Sequence, residues 1–182
     1  MLRLLQLFSH EARHRMRKLR KADILVLSVA KSGRTWFRVL LNKYFSLKHD
    51  IPFTVDDMSA SSKHVPGIAY THELWLHNID STFWERLTGK HLIPDSLIFK
   101  HKLLVLYRDP RDVIVSFFFQ VTKRERHRFP KHLDSGMRDF IRDPTVVIWA
   151  VINTLNAWRR RFKAHPASLW VSYEAMRANT EA

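Results

Sequence analysis

The chain contains no cysteine, and this absence excludes disulfide bonds, thiolate catalysis and cysteine-ligated zinc sites. It also lacks any run of about 18 apolar residues, so we expect no transmembrane helix. The lack of cysteine is compatible with the cytoplasm, which is the location we expect. What is present is 182 residues with an apolar share of 46%, which indicates one folded domain with a substantial core.

Acidic residues are few, because 17 Asp and Glu stand against 31 Lys and Arg, which gives a formal net charge of +14. Such an excess indicates an anionic partner, which could be nucleic acid, a membrane surface or a polyanionic ligand. Much of the positive charge lies in three clusters, and each is also typical of a solvated helix face. The clusters are Arg13 to Lys21, Lys123 to Lys131 and Arg159 to Lys163.

Residues 1–22 are predicted to form a basic amphipathic helix that precedes an α/β domain at 23–182. Its apolar residues fall on one face, at Leu4, Leu5, Phe8 and Ala12. That face could pack against the core or make a peripheral contact with a membrane surface. Packing against the core is the interpretation that the pattern favours.

Predicted strands and helices alternate along the rest of the chain. The run Ile24 to Val29 is almost continuously apolar, which is typical of a strand covered on both faces. Alternation of this kind predicts a P-loop-like three-layer fold, with a central parallel sheet and helices on both faces. Further strands are predicted at Gly67 to Thr71, Lys102 to Arg108 and Ser168 to Ser172, and helices at Thr35 to about Phe45, from Asp109, at Thr145 to Phe162 and from Tyr173.

The loop "AKSGRT" follows the first predicted strand, where ligands bind in parallel sheets. Gly33 lets a backbone approach an anion closely, and the first N–H groups of the next helix point toward it. Lys31 adds a positive charge, while Ser32 and Thr35 add hydroxyl donors. The loop is not the usual NTP-binding loop, because Lys31 precedes Gly33 and no upstream glycine exists. It could also be an ordinary strand-to-helix turn.

A second candidate anion site lies at the end of the Lys102 strand. Arg108 ends that strand, Asp109 suits the N-cap of the following helix, and Pro110 suits its first position. Ser116 lies two helical turns later, on the same face as the N-cap. An Arg and a hydroxyl can together bind a phosphate, although Arg108 could instead pair with Asp109 or Asp112.

Three segments in order resemble the motifs of sulfotransferases that use 3′-phosphoadenosine 5′-phosphosulfate (PAPS). "SVAKSGRTWFRVLL" resembles their 5′-phosphosulfate loop, "LLVLYRDPRDVIVSFFF" their 3′-phosphate motif, and "LWVSYEAM" a later strand that ends in Tyr-Glu. The resemblance implies that PAPS is the donor and 3′-phosphoadenosine 5′-phosphate (PAP) the product, with no metal ion. It implies that Lys31 neutralises the leaving oxygen and that the 5′-phosphate is held by Ser32, Gly33, Arg34 and Thr35. It also implies that Trp36 and Tyr173 lie near the adenine. The 3′-phosphate would be bound by Arg108 and Ser116.

The same resemblance implies a histidine base. His72 follows the Gly67 to Thr71 strand and resembles the family's Thr-His, whose His removes the proton from the acceptor hydroxyl. His101 is the competing candidate, but it precedes the Lys102 strand and should lie at the opposite edge of the sheet. The acceptor is expected to be a small molecule, a carbohydrate or a lipid, and nucleic acid is not the expected partner.

The chain departs from the family pattern at three places. Arg34 stands where a small hydroxyl residue is common, and Tyr70 stands where many members have a second Lys. The later basic, Gly-rich segment that closes over the donor is not found, so we expect a domain that is incomplete at its C-terminal end. Two alternatives stay open: a P-loop nucleotide kinase or NTPase, and a non-enzymatic basic module for nucleic acid or anionic lipid.

Overall fold

A computed structural model describes residues 10–58, 62–74, 83, 87, 92–124, 136–143 and 148–179. Helices and strands alternate through these residues. They are α1 (His10–Lys21), β1 (Ile24–Ser28), α2 (Arg34–His49), β2 (Ile68–Thr71), α3 (Asp95–Ile98), β3 (Lys102–Tyr107), α4 (Pro110–Phe119), α5 (Met137–Arg142), α6 (Ile148–Arg161), β4 (Ser168–Ser172) and α7 (Tyr173–Ala178), with a short π-helix (Gln120–Arg124) directly after α4.

The four strands form one parallel sheet in the order β2-β1-β3-β4. Ile24 of β1 is in register with Ile68 of β2 on one side and with Lys102 of β3 on the other. Since all strands run the same way, their carboxyl ends lie at one edge of the sheet, where ligands bind in such folds. The predicted α/β architecture with a central parallel sheet is confirmed.

The centre of the sheet is covered on both faces. Successive residues of β1, from Leu25 to Ser28, are all buried, although they point alternately to the two faces. On the face with α4 and α6, the core contains large side chains such as Trp158, Phe140 and Phe162. Helix α6 packs against this core, with Val151 and Trp158 fully buried.

The start of α4 confirms the predicted capping. The Asp109 side chain accepts a hydrogen bond from the backbone N–H of Arg111 at 2.9 Å, and Pro110 occupies the first turn. The side chain of Arg111 also donates to Asp109, and these hydrogen bonds lower the pKa of Asp109 to about 2. The carboxylate is thus charged at neutral pH. The predicted end of this helical region at Pro130 lies outside the described residues.

Helix α1 packs against the core through Leu19, which is buried, and through the half-buried Met16. The predicted apolar face at Leu4, Leu5 and Phe8 lies outside the described residues, as does the side chain of Ala12. Within the part of the chain that is described, no helix is long and apolar enough to cross a membrane.

Helix α2 is longer than predicted. It continues to His49, beyond the predicted end near Phe45, and ends at Asp50 in the left-handed conformation. Trp36 is 45% exposed, and the one buried residue of α2 is Asn42. The Asn42 amide donates to the backbone carbonyls of Thr54 and Asp56 at 2.8 and 2.6 Å. This side of α2 thus anchors the following loop by hydrogen bonds.

Candidate functional site

The loop between β1 and α2 has the backbone geometry of an anion-binding nest. Lys31 and Gly33 have positive φ angles of 65° and 85°, with Ser32 between them. Alternation of this kind turns successive backbone N–H groups toward one point. No side chain caps α2 at its N-terminus, so the first N–H groups of α2, from Arg34 to Trp36, remain available beside the loop.

Ser32 supplies a hydroxyl that is fully buried and has no hydrogen-bond partner among the residues that the structure describes. A buried hydroxyl without a partner costs free energy, so native proteins seldom contain one unless a ligand or water satisfies it. Thr35 and Trp36 are exposed in the first turn of α2. The loop therefore offers several donors to an anion.

Arg108, at the end of β3, reaches the same loop. Its Nη1 donates to the backbone carbonyl of Lys31 at 3.3 Å, and its Nη2 lies 3.5 Å from Asp112. The guanidinium stacks on the ring of Tyr173, with 4.4 Å between its carbon and the ring centroid. The Arg108 Nε is buried and has no partner. The pairing with Asp112 is thus present, yet one donor remains unused.

Tyr173 connects the end of β4 with the loop between β1 and α2 (residues 29–33), which we call the anion-binding loop. Its ring packs directly on Gly33, where a Cβ would overlap the ring. The neighbouring Glu174 accepts a hydrogen bond from the backbone N–H of Asp109 at 3.0 Å. The loops after β1, β3 and β4 therefore meet at one place. Ser116 lies half-buried on α4, two turns after Asp109.

His72 follows β2, on the other side of β1 from Arg108. Its Nδ1 donates to the backbone carbonyl of Ser28 at 2.7 Å, which leaves Nε2 as the acceptor nitrogen. Burial, and to a smaller extent the charge of Arg34, lower the pKa of His72 to about 4, while the hydrogen bond to Ser28 acts in the opposite direction. The imidazole is therefore neutral at pH 7 and can accept a proton.

His101 lies at the other edge of the sheet, as predicted. It directly precedes β3, and its Nδ1 donates to the backbone carbonyl of Leu97 at 2.6 Å. Its place at the amino end of β3 separates it from the anion-binding loop. Among the described residues, no group of three or more His, Asp or Glu is arranged to hold a metal ion.

Comparison with known families decides which class of protein this is. The sulfotransferase domain family matches residues 21–182 of the chain. The chain belongs to the sulfotransferase domain family. A crystal structure of retinol dehydratase in a complex with retinol and PAP is similar at 16% sequence identity and a TM-score of 0.43. The match covers 92% of this chain and 61% of that one. No curated protein matched the chain.

Two residues of this sulfotransferase domain were missed by the sequence analysis. Arg38 lies one turn after Arg34 on α2, and its Nε is buried without a partner. Glu73 follows His72 and is completely buried, although a Glu beside a loop is usually exposed. No local pattern marks either residue, because their surroundings come from distant parts of the chain.

Glu73 is the centre of a buried hydrogen-bond network. Its carboxylate accepts from the Trp158 indole at 2.9 Å, from the Arg161 guanidinium at 2.7 Å and from the Ile93 backbone N–H at 3.2 Å. Arg161 also donates to the Ile93 carbonyl and to Asp95. The network ties the end of β2 to α6 and to the segment before α3, so it holds the residue next to His72 in place.

Proposed function

We propose that the chain transfers a sulfuryl group from PAPS to the hydroxyl of a small-molecule, carbohydrate or lipid acceptor. Membership of the sulfotransferase domain family supports the reaction class. The observation that carries the proposed mechanism is the contact between His72 Nδ1 and the Ser28 carbonyl. Ser28 ends β1, and Lys31 follows three residues later. A neutral imidazole is thus held beside an anion-binding loop.

The residues at the strand ends fit the donor. Ser32, with its buried and unpartnered hydroxyl, and the uncapped N–H groups of α2 would hold the 5′-phosphosulfate. Arg108, whose Nε lacks a partner, would hold the 3′-phosphate together with Ser116. Trp36 and Tyr173 would lie near the adenine. When bound, the donor supplies the sulfuryl group and the phosphate oxygen that leaves with its electron pair.

The proposed reaction is an in-line displacement in which the acceptor oxygen forms a bond to sulfur. The bond between sulfur and the bridging oxygen breaks at the same time. His72 takes the acceptor proton at Nε2, because its Nδ1–H is already donated to the Ser28 carbonyl. Lys31 and the N–H groups at the start of α2 stabilise the negative charge that develops on the 5′-phosphate of the leaving PAP.

Calorimetric titration with PAP tests the donor site, with ADP and ATP–Mg²⁺ as controls. We expect PAP to bind in preference to both controls, since only PAP carries a 3′-phosphate. Arg108→Ala should weaken PAP binding about 10- to 100-fold, because a hydrogen bond to a charged group contributes about 1.5–3 kcal/mol.

Arg111→Ala is the matched control, because Arg111 is an exposed Arg three residues away, and its loss should leave PAP affinity unchanged. Equal affinity for PAP and ADP would contradict the proposed donor site. A steep salt dependence without preference for the 3′-phosphate would instead favour a basic binding surface.

A further inference from the structure

Two arginines lie one turn apart on α2, on the side of β1 that faces His72. Arg34 is the first residue of the helix and Arg38 the fifth, so their side chains share one face. Burial is the main cause of the lowered pKa of His72, and the positive charge of Arg34 contributes to it. In the sheet order, His72 and these arginines lie toward β2, whereas Arg108 lies toward β3.

Positive charge exceeds negative charge around this pair among the described residues. Neither guanidinium forms a hydrogen bond or an ion pair with another described residue, and the Arg38 Nε is buried. Burial lowers the pKa of Arg34, and the charge of Arg38 lowers it further. Like charges four residues apart destabilise a helix, and a buried donor without a partner adds to that cost. An anion between the two side chains would remove both penalties.

A cavity of about 210 Å³ adjoins the pair, and Arg38 lines it together with Tyr70 and Thr71 of β2. Its charged lining consists of Lys18 and Arg38 against Asp57, so positive charge exceeds negative. Burial raises the pKa of Tyr70 to about 12. The Tyr70 hydroxyl therefore stays neutral and cannot balance the arginines, but it can donate a hydrogen bond to an oxyanion. Thr71, which lines the cavity, directly precedes His72 in the sequence.

We propose that Arg34 and Arg38 bind a carboxylate or sulfate ester of the acceptor, and that this domain therefore acts on acidic acceptors. The inference rests on the proposed function, because it takes His72 as the base for the acceptor hydroxyl. A guanidinium matches the geometry of oxyanions and can bind them with two hydrogen bonds. An anionic group held by the pair would place a neighbouring hydroxyl of the same molecule beside His72.

Binding of an anionic acceptor by Arg34 and Arg38 would explain why this chain departs from the family pattern at Arg34 and Tyr70. Tyr70 replaces a common Lys at the place where Arg38 already supplies a cation. The Arg34 side chain shares a helix face with Arg38, while its backbone N–H remains part of the start of α2. One residue can therefore serve the donor through its backbone and the acceptor through its side chain.

Binding of inorganic sulfate and of two matched glycosides tests the proposal without knowledge of the natural acceptor. Phenyl β-glucuronide and phenyl β-glucoside differ in a single carboxylate, and both are titrated into PAP-saturated protein while arginine side-chain N–H signals are followed by NMR. We expect sulfate and the glucuronide to bind saturably, and the glucoside to bind more weakly. Arg38→Gln should lower the affinity for sulfate and for the glucuronide about 10- to 100-fold and leave PAP affinity unchanged.

Lys43→Gln is the matched control, because Lys43 is an exposed cation of the same helix, five residues further along and on another side. It should change none of these affinities. Arg38→Lys keeps the charge without the planar fork and should retain part of the binding. Circular dichroism checks that each variant is folded.

Four results would overturn the proposal, and the first three are no saturable binding of sulfate or glucuronide, equal binding of glucoside and glucuronide, and unchanged anion binding in Arg38→Gln. A fall in PAP affinity in Arg38→Gln would assign the pair to the donor and would also overturn it. If wild-type protein does not bind PAP, the proposed function fails on its own. A sulfate titration that compares wild type with Arg38→Gln in the absence of PAP then still measures what Arg38 contributes, because the anion-binding loop is the same in both proteins.

Discussion

Replacement of Glu73 should destabilise the protein more than any loss of a surface charge, because its carboxylate is completely buried among three donors. In Glu73→Gln the side-chain volume is kept, but one oxygen becomes an NH₂ group. That group would face the indole N–H of Trp158 or the guanidinium of Arg161, so two donors would point at each other. The Arg161 charge would also lose its buried partner.

The loss of stability in Glu73→Gln depends on which contacts Arg161 keeps. Removal of one partner from a buried ion pair costs about 3–5 kcal/mol. Arg161 is 23% exposed and keeps its contacts with Asp95 and the Ile93 carbonyl, so we expect the lower end, about 3 kcal/mol. For a domain of this size, that corresponds to a fall in Tm of roughly 6–12 °C.

Urea unfolding followed by circular dichroism measures this loss. Asp95→Asn is the matched control, because it removes the other carboxylate that Arg161 contacts, yet Asp95 is 62% exposed. An exposed ion pair contributes about 0–1 kcal/mol. The double variant Glu73→Gln/Arg161→Met should lose less unfolding free energy than the two single variants lose together, since both residues take part in one interaction. A Glu73→Gln variant within about 0.5 kcal/mol of wild type would refute the reasoning.

The remaining predictions concern the anion-binding loop and the base. Gly33→Ala should destabilise the fold by about 1–3 kcal/mol, because φ is +85° and the new Cβ would overlap the Tyr173 ring. Gly136→Ala is the control and should change the Tm little, because φ is −67° and the new Cβ would make only an ordinary van der Waals contact with Asp139. The folded-state pKa of His72 lies near 4, below the usual 6.5, so its contribution to stability is present above pH 6.5 and is lost as pH falls toward 4. Urea unfolding between pH 7 and 4 should show a smaller loss in His72→Gln than in wild type, and an equal loss in both would contradict the assigned pKa.

The strands and the start of α4 could be predicted because their signals are local. β1 is a continuous apolar run, and Asp109 followed by Pro110 has the side chains that a helix N-terminus requires. The proximity of Lys31 and Arg108 could also be predicted, since both follow parallel strands that are adjacent in the sheet. Order along the chain and the rule for strand ends were sufficient for these features.

The buried polar residues could not be predicted, because their partners are distant in sequence. Glu73 meets Trp158 and Arg161 across more than eighty residues, and a Glu after a strand carries no mark of such burial. Asn42 is buried because the loop after α2 folds back onto it. The apolar spacing of α2 predicts the type of element but leaves out this contact.

The packing of Tyr173 on Gly33 has a consequence for the order in which the protein can assemble. The anion-binding loop is completed near residue 33, but its wall comes from residue 173, after β4 has paired with β3. Each strand pairing in this sheet joins segments dozens of residues apart, and such non-local topologies fold slowly. A newly made chain therefore exposes the donors of Ser32 and the first turn of α2 until its last strand is in place. A ligand that binds the finished loop would draw the folding equilibrium toward the folded sheet by mass action.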